Sequence, residues 1–243
     1  MLSVLPETER LEALKMQDKD GYTALHWAAQ NPRSLEIILN KLPETDRLKL
    51  AIIKDKHEQT ALHLAAQNPD SLTTILTTLL EEERHKVVSI DDFCCQTVLH
   101  LAAQNLDSLN AIFQTLPTTG LIDIVNKQNL SDQTVLHLVA QNPDSLAIIL
   151  KGLTDIECLE AVNIKNTQKE TVIHLAGQNP DALKMILSAL PPKAKEKQEK
   201  INIDIAHFED FKARYKNTTE KNVSSNDQES IPVSAVNTKN SMM

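Results

Sequence analysis

Nine residues, Thr23-Ala24-Leu25-His26-Trp27-Ala28-Ala29-Gln30-Asn31, return four more times, as Thr60–Asn68, Thr97–Asn105, Thr134–Asn142 and Thr171–Asn179. The spacing is 37 residues every time, and Thr, His, Gln and Asn keep their columns in all five copies. A fixed period in this range constrains the chain to a solenoid, in which each unit buries its apolar face on the next. One unit carries too few large apolar side chains to offset the entropy of ordering its backbone, so stacking is obligatory.

Within a unit, Thr23 reads as an N-cap. Leu25, Ala28 and Ala29 then share one face of a short helix that ends near Gln30. Asn31-Pro32 starts a second helix, because Asn caps well and Pro fits the first helical position. Asp70, Asp107, Asp144 and Asp181 follow in later copies and suit the positive end of a helix; the first copy has Arg33 there, and the third has Leu106 in place of Pro. Leu35, Ile38, Leu39 and Leu42 form an i, i+3, i+4, i+7 stripe that recurs in every copy, which marks it as core. The segment after Pro43, and its equivalents at 81–90, 118–127 and 155–164, predicts a third short helix. The expected fold class is therefore all-α, a solenoid of 37-residue helical repeats with three helices in each.

Composition agrees. Aromatics make up 3% of the chain and glycine occurs four times, too few for a fold built on tight β-turns. The net charge of −8 and the lack of a basic stripe argue against nucleic acid as a partner. Lys193–Lys200 alternates basic residues with Glu and reads as a solvated helix face. The cysteines, Cys94, Cys95 and Cys158, are odd in number and include an adjacent pair, which does not suit a disulfide framework and points to a reducing compartment. Met1–Arg10 does not read as a signal peptide, and no apolar run reaches membrane-spanning length.

Asp18-x-x-Gly21-x-Thr23-Ala24-Leu25-His26-Trp27-Ala28-Ala29 resembles the ankyrin repeat signature D-x-x-G-x-T-P-L-H-x-A-A, and the resemblance covers residues 1–190. It implies an ankyrin-like α-solenoid, recognition of a protein partner through loop tips and the concave helix surface, and a signature His that bonds locally and ties loops together. The departures are a period of 37 in place of the usual 33, Ala or Val in place of the Pro after Thr, and Glu58, Cys95, Asp132 and Lys169 in place of the loop Gly. The four extra residues are expected to build the third helix at the expense of the hairpin. The phrases His63-Leu64-Ala65-Ala66-Gln67-Asn68-Pro69-Asp70-Ser71-Leu72 and Leu5-Pro6-Glu7-Thr8-Glu9-Arg10-Leu11-Glu12-Ala13 also resemble repeats in effectors secreted by intracellular bacterial pathogens.

Residues 5–11 match residues 42–48, so the chain opens with the second half of a unit. The domain reading is a half-repeat cap at 1–17, five ankyrin-like repeats at 18–190, a capping helix region at 191–216 built on Ile205, Phe208, Phe211 and Tyr215, and a disordered polar tail at 217–243 that resembles type IV export signals.

The ladder of His26, His63, His100, His137 and His174 does not suit a metal. Helices stacked about 10 Å apart hold their side chains far beyond metal–ligand distances near 2 Å. Gln30, Gln67, Gln104, Gln141 and Gln178 are expected to satisfy loop backbone groups. Cys94-Cys95 lies beside Asp91 and Asp92, which disfavour a thiolate. No catalytic residue, cofactor or metal is expected.

The columns free to recognise something are the loop tips. Tyr22, Phe93 and Leu130 are apolar where solvation favours polar groups, and with His57, Cys94 and Gln168 they are the candidate partner-binding residues. Trp27 is expected to plug the N-terminal end of the stack. The functional expectation is a monomeric protein-binding scaffold without membrane insertion. It is read as a secreted bacterial effector that binds a host protein in the host cytoplasm. The alternative is a repeat segment of a larger protein, scaffolding a catalytic region not present here.

Overall fold

The structure is a computed structural model that describes residues 6–191. Among the described residues it contains fifteen helices and no strand: one from the opening half unit, three in each of the first four repeats and two in the fifth. They fall into three rows. The first-helix row is Ala24–Ala28 (α2), Ala61–Leu64 (α5), Val98–Ala102 (α8), Val135–Leu138 (α11) and Val172–Ala176 (α14). The second is Pro32–Leu39 (α3), Pro69–Thr77 (α6), Leu106–Thr115 (α9), Pro143–Lys151 (α12) and Pro180–Ala189 (α15). The third is Glu7–Lys15 (α1), Glu44–Ala51 (α4), Glu81–Val88 (α7), Leu121–Val125 (α10) and Asp155–Val162 (α13). Within each row every helix packs on the next. The half unit at the start supplies α1, which packs on α4 and α2. The expected capping helix and polar tail lie outside the described residues.

The core follows the apolar columns. Leu25, Leu62, Leu99 and Leu136 are almost completely buried in the first row, among alanines such as Ala29, Ala65 and Ala102 whose small side chains let helices approach closely. Leu35, Leu72, Leu109 and Leu146 are fully buried in the second row. The stripe is fully buried in the second and fourth units, whereas Phe113 of the third and Ile38 of the first are half-buried and Ile37 is exposed.

Each second helix starts as its Asn predicts. The Asn31 side chain accepts from the Ser34 N–H at 3.0 Å, and Asn68 and Asn105 accept from Ser71 and Ser108 at the same distance. That capping holds with Leu106 in place of Pro. The same serines carry a cost. The hydroxyls of Ser71, Ser108 and Ser145 are buried without a hydrogen-bond partner, while the fifth unit has Ala182, fully buried, in that column. Ser108→Ala removes an unsatisfied buried group at constant backbone geometry and is expected to raise stability by about 1 kcal/mol. Urea unfolding of the two proteins checks this, and a loss of stability would show that the hydroxyl has a partner.

The third helices did not replace the hairpins. Each inter-unit loop is still closed by a pair of backbone bonds, for example Asp55 N–H to Gln59 O at 2.8 Å and Glu58 N–H to Asp55 O at 3.1 Å. Such a turn needs one left-handed residue. Gly21 supplies it at φ 85°, and the non-glycine residues Glu58, Cys95, Asp132 and Lys169 adopt φ 61°, 55°, 53° and 64° in its column. The hairpin thus outlives the loss of its glycine because other bonds over-determine it.

Candidate partner-binding surface

Those bonds come from a column that sequence reading passed over. Asp18, Asp55, Asp92, Asn129 and Asn166 each turn one side-chain oxygen onto the backbone N–H groups two and four residues on, at 2.7–3.1 Å. Asp and Asn are interchangeable here because only a carbonyl-type oxygen is required. The Tyr22 N–H bond is the first cause of a lowered pKa at Asp18. The legible signal was a column holding nothing but Asp or Asn, two residues before each loop tip.

The loops are then tied to one another. The N–H groups of Lys56, Phe93, Leu130 and Thr167 donate to the carbonyls of Asp20, His57, Cys94 and Ser131 in the preceding loop, at 3.1, 3.0, 3.2 and 3.1 Å. This continuous ladder lines the tips up in one row. Phe93 and Leu130 become neighbours along it, 75% and 65% exposed, and exposed Cys94 stands beside them, its carbonyl held by Leu130. His57 and Gln168 are exposed polar members of the adjacent column. These five predicted residues therefore share one edge.

Tyr22 sits differently. It is half-buried, with its ring stacked on His26 at 5.6 Å and edge-on to Trp27 at 5.2 Å. Trp27 overturns the expectation of a plug. It is 70% exposed, and its indole N–H reaches Asp18 of its own loop at 3.0 Å. The reason lies in its column, where Leu64, Leu101 and Leu138 are also only half-buried: the position faces outward on the first-helix row, and the larger ring projects farther. Because the indole reaches loop residue Asp18, the first-helix column and the loops meet in one surface.

Behind that surface the constant residues are inter-unit ties. Nδ1 of His26 receives the Thr23 N–H at 3.1 Å and lies 2.8 Å from the Thr23 hydroxyl; His63, His100 and His137 repeat this with Thr60, Thr97 and Thr134. Since Thr N–H can only donate, Nδ1 is the acceptor and Nε2 carries the proton. Nε2 donates to the next loop, at Gln59 O (3.1 Å), Gln96 O (3.2 Å), Gln133 O (3.0 Å) and Glu170 O (3.3 Å). Burial holds all four imidazoles below their usual pKa, partly offset by those carbonyls.

The glutamines do not satisfy loop groups as expected. Gln30, Gln67 and Gln141 donate instead to Leu64, Leu101 and Leu175, near the C-terminal ends of the next unit's first helix, where the last carbonyls lack helical partners. Asn68, Asn105 and Asn179 donate back to the backbone carbonyls of Gln30, Gln67 and Gln141. The three cysteines are free, and burial pushes the Cys158 thiol up to about 11, followed by the charges of Asp155 and Glu157.

A row of short helices and aligned loops that present side chains along one edge is the architecture of a repeat-type scaffold. Residues 5–91 match the family described as Ankyrin repeats (3 copies). The units beyond residue 91 keep the same columns, period and inter-unit bonds, and the described residues form an all-α, ankyrin-like solenoid. No curated protein matches the sequence. Ankyrin repeats are in general protein–protein interaction modules and typically non-catalytic, so the partners implied are proteins. No helix among the described residues is long and apolar enough to cross a membrane.

Proposed function

We propose that the protein binds a protein partner along the loop-tip edge, with Phe93 and Leu130 as the apolar anchors. The observation that carries this is their adjacency: two large apolar side chains, both mostly solvated, held side by side by the bond from Leu130 N–H to Cys94 O. Exposed aromatic and aliphatic groups on a rigid frame lose little conformational entropy on binding and act as hot spots. Trp27 extends the apolar surface onto the first-helix row, and His57 and Gln168 supply polar contacts beside it.

The biological setting we propose is that of a secreted bacterial effector acting on a host protein in the host cytoplasm. Support comes from the resemblance of residues 63–72 and 5–13 to effector repeats. The test is affinity capture from eukaryotic cell lysate by the wild type and by a Phe93→Ala, Leu130→Ala variant. Both side chains are exposed, so the variant is expected to keep its melting temperature. Loss of two anchors at about 2 kcal/mol each is expected to abolish capture of the wild-type partner. Equal capture by both proteins would place the site elsewhere. Capture from bacterial lysate and not from host lysate would reject the effector setting.

A further inference from the structure

One column of the third-helix row holds Arg10, Arg47, Arg84, Leu121 and Cys158. Arg47 and Arg84 tie units together. Nε of Arg47 donates to the carbonyls of Leu39 at 3.2 Å and Leu42 at 3.3 Å in its own unit, and a guanidinium nitrogen donates to Thr78 O of the next unit at 2.9 Å. Arg84 repeats the arrangement with Leu79 O at 3.4 Å and Thr115 O at 2.9 Å. These carbonyls lie at the C-terminal ends of second helices, where the last ones lack helical partners and the helix dipole is negative. Leu121 fills the same column by packing: one of its methyls would stand 3.1 Å from a Cβ placed on Gly152.

Cys158 does neither. Its thiol reaches only Leu150 O of its own unit, at 3.5 Å. A cleft of about 360 Å³ remains between α12, α13 and α15. Leu150, Leu153 and Ala189 line it, and they stand in the columns of Leu39, Leu42 and Thr78, the residues whose carbonyls hold Arg47. Leu150 and Leu153 are 4% and 9% exposed, against 0% and 3% for Leu39 and Leu42 and again for Leu76 and Leu79, so the shorter side chain has opened this column to solvent. Asp155, in the column of Glu44 and Glu81, also lines the cleft, and its charge bears on the Cys158 thiol. The cleft thus repeats a guanidinium site without its arginine.

We propose that this cleft receives an arginine side chain from a protein partner, its guanidinium bound as those of Arg47 and Arg84 are bound in their own units. The planar fork offers five donors and engages carbonyls of two helices at once, which the compact lysine ammonium does not. Ala147 and Met185 in the lining pack on the methylene stem. Lys151 is the one cation of the lining; it is exposed, and Asp155 offsets its charge. The lining belongs to the second and third helix rows, so failure of this site would leave the loop-tip reading untouched.

The full chain would carry ¹³C on its methionine methyls and be titrated with N-acetyl-arginine methylamide, with the signal of Met185 as the reporter. The lysine and norleucine analogues are the controls. The arginine analogue is expected to shift Met185 with a dissociation constant on the order of millimolar, the lysine analogue to bind about tenfold more weakly, and the norleucine analogue to give no shift. Cys158→Arg supplies the guanidinium from within, so it is expected to abolish the shift and raise the melting temperature. Lys151→Gln, which installs the residue found at Gln114, is expected to strengthen binding about threefold, and Asp155→Asn to weaken it about threefold. No shift at tens of millimolar, an equal shift from the norleucine analogue, or a shift that persists in Cys158→Arg overturns the site. Should that variant not fold, unchanged binding in both Lys151→Gln and Asp155→Asn overturns it. A Met185 signal already displaced by Arg214→Ala before any ligand is added would assign the site to the chain's own arginine and overturn the partner.

Discussion

Acidification below about pH 6.5 is expected to destabilise the protein progressively. His26, His63, His100 and His137 are only 3–4% exposed, and burial depresses each pKa. Above the unfolded-state value both states are neutral there, and these groups contribute their full stability. Below it the unfolded chain takes up protons that the folded chain refuses, so stability is lost as pH falls from about 6.5 toward the depressed folded values. The hydrogen bonds explain the refusal: a proton on Nδ1 would face the Thr N–H, a donor set against a donor. Urea midpoints measured at about pH 7.5, 6.5 and 5.5 check it, with His100→Gln expected to shallow the slope by removing one titrating group. A midpoint that stays flat across this range would falsify the neutral-ladder assignment.

Leu109→Ala is expected to cost about 3–4 kcal/mol, the largest effect of a single core truncation. Leu109 is fully buried on α9, which packs against both α6 and α12, so the cavity has well-ordered walls on two sides and little freedom to collapse. In a solenoid, stability is a sum of unit and interface contributions. A truncation in the middle unit therefore weakens two interfaces. The same change at Leu183 on α15, which is only half-buried, is expected to cost about half as much. Chemical denaturation gives the totals, and hydrogen exchange gives their distribution, with Leu109→Ala loosening units on both sides of α9. Equal costs at the two leucines would show that the array unfolds without regard to position.

Much of the fold was legible because the same local chemistry is written five times. The 37-residue period, the Asn caps, the leucine columns and the third helix rest on interactions within a unit or between identical neighbours, and repetition separates them from chance. The role of the signature histidine as a tie was implied by the resemblance to ankyrin repeats. Individual surface residues were less legible. Trp27 was read from its size, but its exposure is decided by which way its column faces, a property of the stacked row that shows only in the half-buried leucines beside it. The Asp and Asn residues of the loop column looked dissimilar as charges and proved alike as acceptors.

The amino-acid sequence alone determined that this protein is a stack, how long each unit is and which side chains form its core. Tertiary structure decided what the stack presents. It tied the loop tips to one another through bonds that bridge 36 residues, set Phe93 next to Leu130 and turned Trp27 outward. The physical reason is that burial and capping are properties of a unit and recur with it. A surface or a cleft belongs to the junction of two units, and its chemistry depends on which departures from the repeat happen to meet there.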